Sequence, residues 1–179
     1  MTKHRRFALQ MLILSLAVTN PVMAFDGNRK GFCLGLGAGL GTGTIVNDGR
    51  PNYQTPIGLQ MSQTIGWGLS DQIVIVLSGH MAIYNEQDSN GIWVMPGVFF
   101  RYYFKPSAPS FYISGGPALV VLASEGVDSF LGIDGGAGAT LGGGYHLSRY
   151  FQLQLEAALA SGSIASFRTI HATANLALY

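Results

Sequence analysis

The sequence has 179 residues, of which 11% are charged and 48% hydrophobic, with 25 glycines, one cysteine and a formal net charge of +1. A soluble domain holds about a quarter of its residues as charges, so this composition excludes an ordinary water-facing surface. Cys33 alone cannot build a disulfide framework or a multi-cysteine metal site, and the missing basic excess leaves no footprint for nucleic acid.

Met1 to Ala24 reads as a secretory signal peptide: Lys3, Arg5 and Arg6 open it, Phe7 to Val18 is mainly apolar, and Val22-Met23-Ala24 offers a small residue for cleavage. The apolar core is short for a membrane span, and Asn20-Pro21 interrupts it. Cleavage would leave one domain, residues 25–179, with seven Lys or Arg against nine Asp or Glu and a net charge of −2.

From Gly31 the chain alternates, with Phe32, Leu34, Leu36, Ala38 and Leu40 on one face and Gly35, Gly37, Gly39 and Gly41 on the other. This pattern suits a strand, and no Gly-Lys-Ser/Thr ending follows to make it a phosphate loop. Thr42 to Tyr53, rich in Asn, Asp, Gly and Pro, reads as a loop. The second strand, Ile57 to Trp67, sets Leu59, Met61, Ile65 and Trp67 against Gln60, Ser62 and Thr64, with Gln63 the polar exception on the apolar face. In the third, from Ile73 to Tyr84, Ile75, Leu77 and Met81 oppose Ser78 and His80.

Strand four, Ile92 to Phe104, is apolar on both faces, and Arg101 sets its phase by placing Trp93, Met95, Phe99 and Tyr103 beside it. Strand five, Phe111 to Leu122, puts Tyr112 and Ser114 on the polar face, with Pro117 weakening its hydrogen-bond ladder. Strand six, Leu131 to Tyr145, alternates Leu131, Ile133, Ala137, Ala139 and Leu141 with Asp134, Thr140 and glycines. Strand seven is the clearest: Phe151, Leu153, Leu155, Ala157 and Leu159 oppose Gln152, Gln154 and Glu156. Strand eight, Phe167 to Tyr179, sets Ile170, Ala172, Ala174, Leu176 and Leu178 against Thr169, His171, Thr173 and Asn175.

Eight such strands make either a membrane barrel or a soluble barrel that carries an apolar ligand inside. Charge placement favours the membrane. The strands keep only Arg101, Asp134, Glu156 and Arg168, whereas the loops hold acidic residues such as Glu86, Asp88, Glu125 and Asp128. Trp67, Tyr84, Phe104, Phe111, Tyr145, Tyr150 and Phe167 fall near strand ends, as an interfacial aromatic girdle would. The predicted fold is therefore all-β: an eight-stranded antiparallel up-and-down transmembrane β-barrel.

The strand count, the Gly-rich first strand after a signal peptide, and the short turns Gly68-Leu69-Ser70-Asp71 and His146-Leu147-Ser148-Arg149 resemble small bacterial outer-membrane barrels. The nearest types are outer membrane protein X and the transmembrane domain of outer membrane protein A. The resemblance implies an outer-membrane location, periplasmic termini, and loops after strands one, three, five and seven that face outward. It also implies insertion by the barrel assembly machinery, which reads an aromatic last residue with apolar residues at alternate positions before it. Tyr179 supplies the aromatic, but counting back from it gives Ala177, Asn175, Thr173 and His171, while the apolar register falls on Leu178 and Leu176.

An eight-stranded barrel is filled by its own side chains, so no open pore is expected. Arg101, Asp134, Glu156, His80, His171, Gln60, Gln152, Gln154 and Asn175 should form a buried polar network in the lumen, with Arg101 paired to Glu156. Ser78 and His80 share a face and, with Glu156, compose a conceivable hydrolytic triad for a lipid A or phospholipid-modifying enzyme. Their order and flanking residues do not resemble the lipid A deacylases, and the side chains should face the lumen. His80 and His171 lack the fixed spacing of metal ligands, so neither metal nor cofactor is expected. Arg168, the one charge in the lipid-facing register, is a candidate contact for lipopolysaccharide phosphate, with interfacial snorkelling the simpler alternative. The sequence thus predicts a non-enzymatic barrel with a structural or surface-interaction role. Its expected partners are outer-membrane lipid, lipopolysaccharide, the assembly machinery and a possible ligand of the outer loops.

Overall fold

The computed structural model describes residues 29–47, 50–54, 57–86, 89–125, 131–148, 150–162 and 166–179. The expected signal peptide and the loop residues Asp88 and Asp128 lie outside the described residues, as do the side chains of Tyr84, Glu86, Glu125 and Asp134. The described strands are β1 (Gly31–Asn47), β2 (Arg50–Gln54), β3 (Gly58–Gly68), β4 (Ile73–Glu86), β5 (Ser89–Tyr103), β6 (Ser110–Glu125), β7 (Leu131–Ser148), β8 (Phe151–Gly162) and β9 (Ser166–Leu178).

All pairings are antiparallel. From β3 to β9 each strand pairs with the next, and β1 closes the ring by pairing with β3 on one side and β9 on the other. The result is an eight-stranded barrel without a free edge, which satisfies the ladder hydrogen bonds that lipid cannot. Strand β2 pairs with the far end of β1, on the side that β3 occupies lower down, because β9 holds the other side as far as Val46. This corrects the expected loop over Thr42 to Tyr53. The β-branched Thr42, Thr44, Ile45 and Val46 favour extension, so β1 stays in the wall beside β9 as far as Val46 and β2 folds back along it, with a register shift between Ile45 and Val46.

Alternation sorts the side chains between two very different surroundings. In β8, Phe151, Leu153, Leu155 and Leu159 face out while Gln152, Gln154 and Glu156 are buried. In β9, Ile170 and Leu176 face out while Thr169, His171, Thr173 and Asn175 are buried. Leu141, Leu159 and Leu155 stay 73%, 62% and 58% exposed, part of an apolar exterior far larger than soluble monomers tolerate. A soluble carrier would need the opposite arrangement, with its apolar face inside. Gln63 remains exposed among these apolar neighbours, and Arg168 is exposed two residues into β9.

Phe167 does not join the exterior aromatic girdle as expected but turns into the lumen. It shares parity with Thr169 and His171, and its cross-strand neighbour Ala160, itself paired to Gly138, leaves room for the ring. Trp67, Phe104, Phe111 and Tyr150 do lie exposed near strand ends. The β5–β6 ladder is interrupted at Met95-Pro96 and at Val98-Phe99, opposite the stretch containing Pro117, because neither proline has an N–H to donate. Inward glycines make space for large side chains: a Cβ on Gly144 would lie 2.5 Å from the Tyr112 ring, and one on Gly41 2.7 Å from Gln60 Nε2.

Candidate functional site

The lumen has three tiers. At the end holding Arg29 and Tyr179, a compact plug closes the barrel. The Arg29 guanidinium lies 3.8 Å from the centre of the Tyr103 ring and is fully buried. Its Nη1 donates to the carbonyls of Asp71 (3.0 Å) and Lys105 (2.6 Å), tying together two of the tight turns at this end. Its Nε and Nη2 donate to His146 Nδ1 at 3.1 and 2.9 Å, which fixes that nitrogen as an acceptor. The backbone of Arg29 passes so close over Gly68 that any Cβ there would overlap its carbonyl. Burial lowers the Arg29 pKa from its ordinary value, but a guanidinium keeps its proton.

Tyr179 completes the plug. Its hydroxyl meets Tyr103 Oη at 2.6 Å and accepts from Gln152 Nε2 at 2.6 Å, while Gln152 Nε2 also reaches Tyr103 Oη at 3.1 Å. The displaced apolar register noted at the end of the sequence has a direct structural meaning: Tyr179 shares parity with Ala177, Asn175 and Thr173 and points inward with them. Arg29 and His146 carried no signal in the sequence, because both sit just outside clear alternation.

The middle tier is centred on Glu156. His80 Nε2 and His171 Nε2 both approach its Oε2, at 3.1 and 3.0 Å, and Ser114 Oγ donates to its Oε1 at 3.1 Å. All four side chains are buried. The register runs Arg101, Ser114, Gly142, Glu156 and His171 across β5 to β9, so these residues occupy one layer. The expected direct Arg101–Glu156 pair does not form. Ser114 lies between them, and the histidines and Ser114 take the carboxylate. Arg101 instead donates to Gln154 Oε1 at 3.4 Å and sits 5.4 Å from the centre of the Tyr112 ring. Asn175 Nδ2 also donates to Gln154 Oε1, at 3.3 Å, and Asn175 Oδ1 accepts from Ser62 Oγ at 2.6 Å.

The same geometry bears on the candidate triad. Ser78 Oγ is 3.4 Å from His80 Nε2, the nitrogen that also faces Glu156. A hydrolytic triad needs the nucleophile on one ring nitrogen and the orienting acid on the other. Here His80 Nδ1 has no partner among the described residues, so no acid orients the ring from the side opposite serine and the three side chains meet without forming a triad. The histidines also depart from expectation: residues scattered in sequence on β4 and β9 are brought ring to ring, with centroids 4.7 Å apart.

The tier toward the outer loops is mostly apolar, with Trp93, Met95, Val120, Ala160 and Phe167 buried. Outside the barrel, Gly79 and Pro96 border a shallow apolar groove of about 380 Å³ whose lining includes Leu34, Leu77 and Leu176. Among the described residues no helix is long and apolar enough to cross a membrane, which leaves crossing by strands untouched.

No protein-family model matches the chain, and no curated relative matches it by sequence. Solved structures do match. Ail, the attachment invasion locus protein of Yersinia pestis, superposes with a TM-score of 0.57 at 12% identity, covering 83% of this chain and 99% of Ail. Its complex with the heparin analogue sucrose octasulfate superposes with a TM-score of 0.55 at 12% identity, over 83% and 99% of the two chains. Neisserial surface protein A gives 0.57 at 11% identity, over 83% of this chain and 97% of its own. The chain therefore has the fold of the small eight-stranded bacterial outer-membrane β-barrels.

Proposed function

We propose that this protein is a non-enzymatic outer-membrane barrel whose role is structural or surface-interactive, exercised at the end opposite Arg29 and Tyr179. The observation that carries this reading is the combination of an apolar exterior with a lumen filled by side chains among the described residues. An eight-stranded barrel filled in this way leaves little room for a diffusing solute, which directs its contacts with the outside to the loops and the lipid face. The solved complex of Ail with a sulfated ligand supports recognition at the cell surface as a use of this fold. A sulfated polyanion does not suit these loops: the sequences around Glu86-Gln87-Asp88 and Glu125 to Asp128 are acidic. They suit a cationic surface or a divalent-bridged one.

Arg168, exposed near the outer end of β9, is the residue we assign to lipopolysaccharide phosphate. Insertion by the barrel assembly machinery belongs to the same reading. The inward turn of Tyr179 argues that any recognition of the last strand uses the outward Leu176 and Leu178.

The second reading, a lipid-modifying enzyme, draws on the proximity of Ser78, His80 and Glu156 and on the groove beside Ser78. One experiment separates the two: mass spectrometry of lipid A and phospholipids from membranes with the protein, without it, and with Ser78→Ala or Arg168→Ala. An unchanged lipid profile, with less lipopolysaccharide retained by the Arg168→Ala barrel, is expected. A lipid modification that disappears with Ser78→Ala would establish the enzyme instead.

A further inference from the structure

We propose that His80, His171 and Glu156 form a site inside the barrel for one divalent transition-metal ion of the zinc class. The three residues come from β4, β8 and β9, and their ligand atoms all lie within 4.8 Å of one another. Two imidazole nitrogens and one carboxylate oxygen are the protein donors of a zinc site that keeps a fourth position open. Metal–ligand bonds of about 2.0–2.2 Å place tetrahedral donors about 3.3 Å apart. The present Nε2–Oε2 separations of 3.1 and 3.0 Å are slightly shorter, so a small outward shift of the rings admits the ion. Two nitrogen donors select against calcium and magnesium, which take oxygen ligands.

The surroundings support a metal over a plain hydrogen-bond cluster. Without an ion, both rings must donate Nε2–H to the same oxygen, and each Nδ1 becomes an acceptor. Among the described residues no lysine or arginine pairs directly with the buried carboxylate, since Arg101 Nη2 donates to Gln154 instead. A divalent ion removes both proton requirements at Nε2 and supplies the missing charge.

The outer shell is already built. Ser114 holds Glu156 Oε1, leaving Oε2 for the ion, and Thr169 Oγ1 at 3.4 Å from His171 Nδ1 can accept the proton that metal binding places there. Ser78 Oγ stands next to His80 Nε2. Gln60 packs with His171 against Gly41, and both of its amide atoms lack a partner among the described residues.

The test uses the untagged full-length protein refolded into detergent micelles, with Co²⁺ as the optical probe, Zn²⁺ as competitor, and the ion added either before or after folding. Expected is one equivalent of Co²⁺ with the strong visible absorption of a four- or five-coordinate site, displaced by Zn²⁺. Binding only when the ion precedes folding counts equally for the site, because the lumen is closed. Ser114→Ala keeps all three ligands and should weaken binding by about 10–100-fold. The double variant His80→Asn/His171→Asn should abolish it, with folding checked by heat-modifiable gel mobility. The proposal is overturned if folded wild type retains no more ion than the double variant under either order of addition, or if Ser114→Ala binds as tightly as wild type.

Discussion

At the scale of single residues, the lumen is a matter of matched volumes. Tyr112, buried beneath Arg101, fits because β7 contributes Gly144 where it faces the aromatic ring. A methyl group at Gly144 would press on both the Tyr112 ring and the Leu153 carbonyl. Overpacking of a filled interior costs about 1–3 kcal/mol, so Gly144→Ala should lower stability by that amount in urea unfolding from lipid vesicles. Gly79→Ala is the control: a Cβ there meets nothing within 4 Å, and stability should be unchanged or slightly raised. Equal losses in the two variants would show that the glycines serve strand formation and not lumen volume. The need for inward glycines was legible from the alternation in β1 and β7. Their individual partners were not, because parity fixes the face of a residue and not its height in the barrel.

At the scale of elements, the same limit explains which contacts the sequence could and could not reveal. A one-residue slip flips every side chain of a strand, so a pattern as strict as Phe151 to Leu159 leaves no freedom in facing. The cross-barrel layer depends instead on register summed over several strand pairs. That sum puts Ser114 and Gly142 between Arg101 and Glu156 and brings His80 and His171 to the carboxylate. Mixed loop chemistry hid the strands within Thr42 to Tyr53, whereas Phe167, an aromatic at a strand end, suits a girdle by type while its parity with Thr169 and His171 turns it inward. Facing has a direct energetic consequence. An arginine on the lipid face costs about 2–4 kcal/mol near the midplane and about 0–1 near the interface. Leu155, in the middle of β8 and 58% exposed, should therefore lose about 2–4 kcal/mol on Leu155→Arg. Arg168→Leu, near a strand end, should change little. Reversible unfolding in bilayers measures both, and a neutral Leu155→Arg would mean that β8 does not face hydrocarbon.

At the scale of the whole molecule, the barrel is closed more than once along its axis. Arg29, Tyr103, Gln152 and Tyr179 seal one end by cation–π contact and hydroxyl hydrogen bonds. Glu156 and its two histidines cross the middle, and Trp93, Met95 and Phe167 occupy the lumen toward the outer loops. Eight strands enclose too little width for water to bypass such side chains. Closures in series have a consequence that a single gate does not: opening one leaves the others shut. Wild-type protein in planar bilayers should show no stable single-channel conductance. Arg29→Ala/Tyr179→Ala, which dismantles the plug, should remain silent as well while losing stability, because the middle and outer tiers are untouched. Steady conductance steps from wild type would refute the packed lumen. Steps appearing only in the double variant would place the whole permeability barrier in the plug and make the upper tiers permeable to ions.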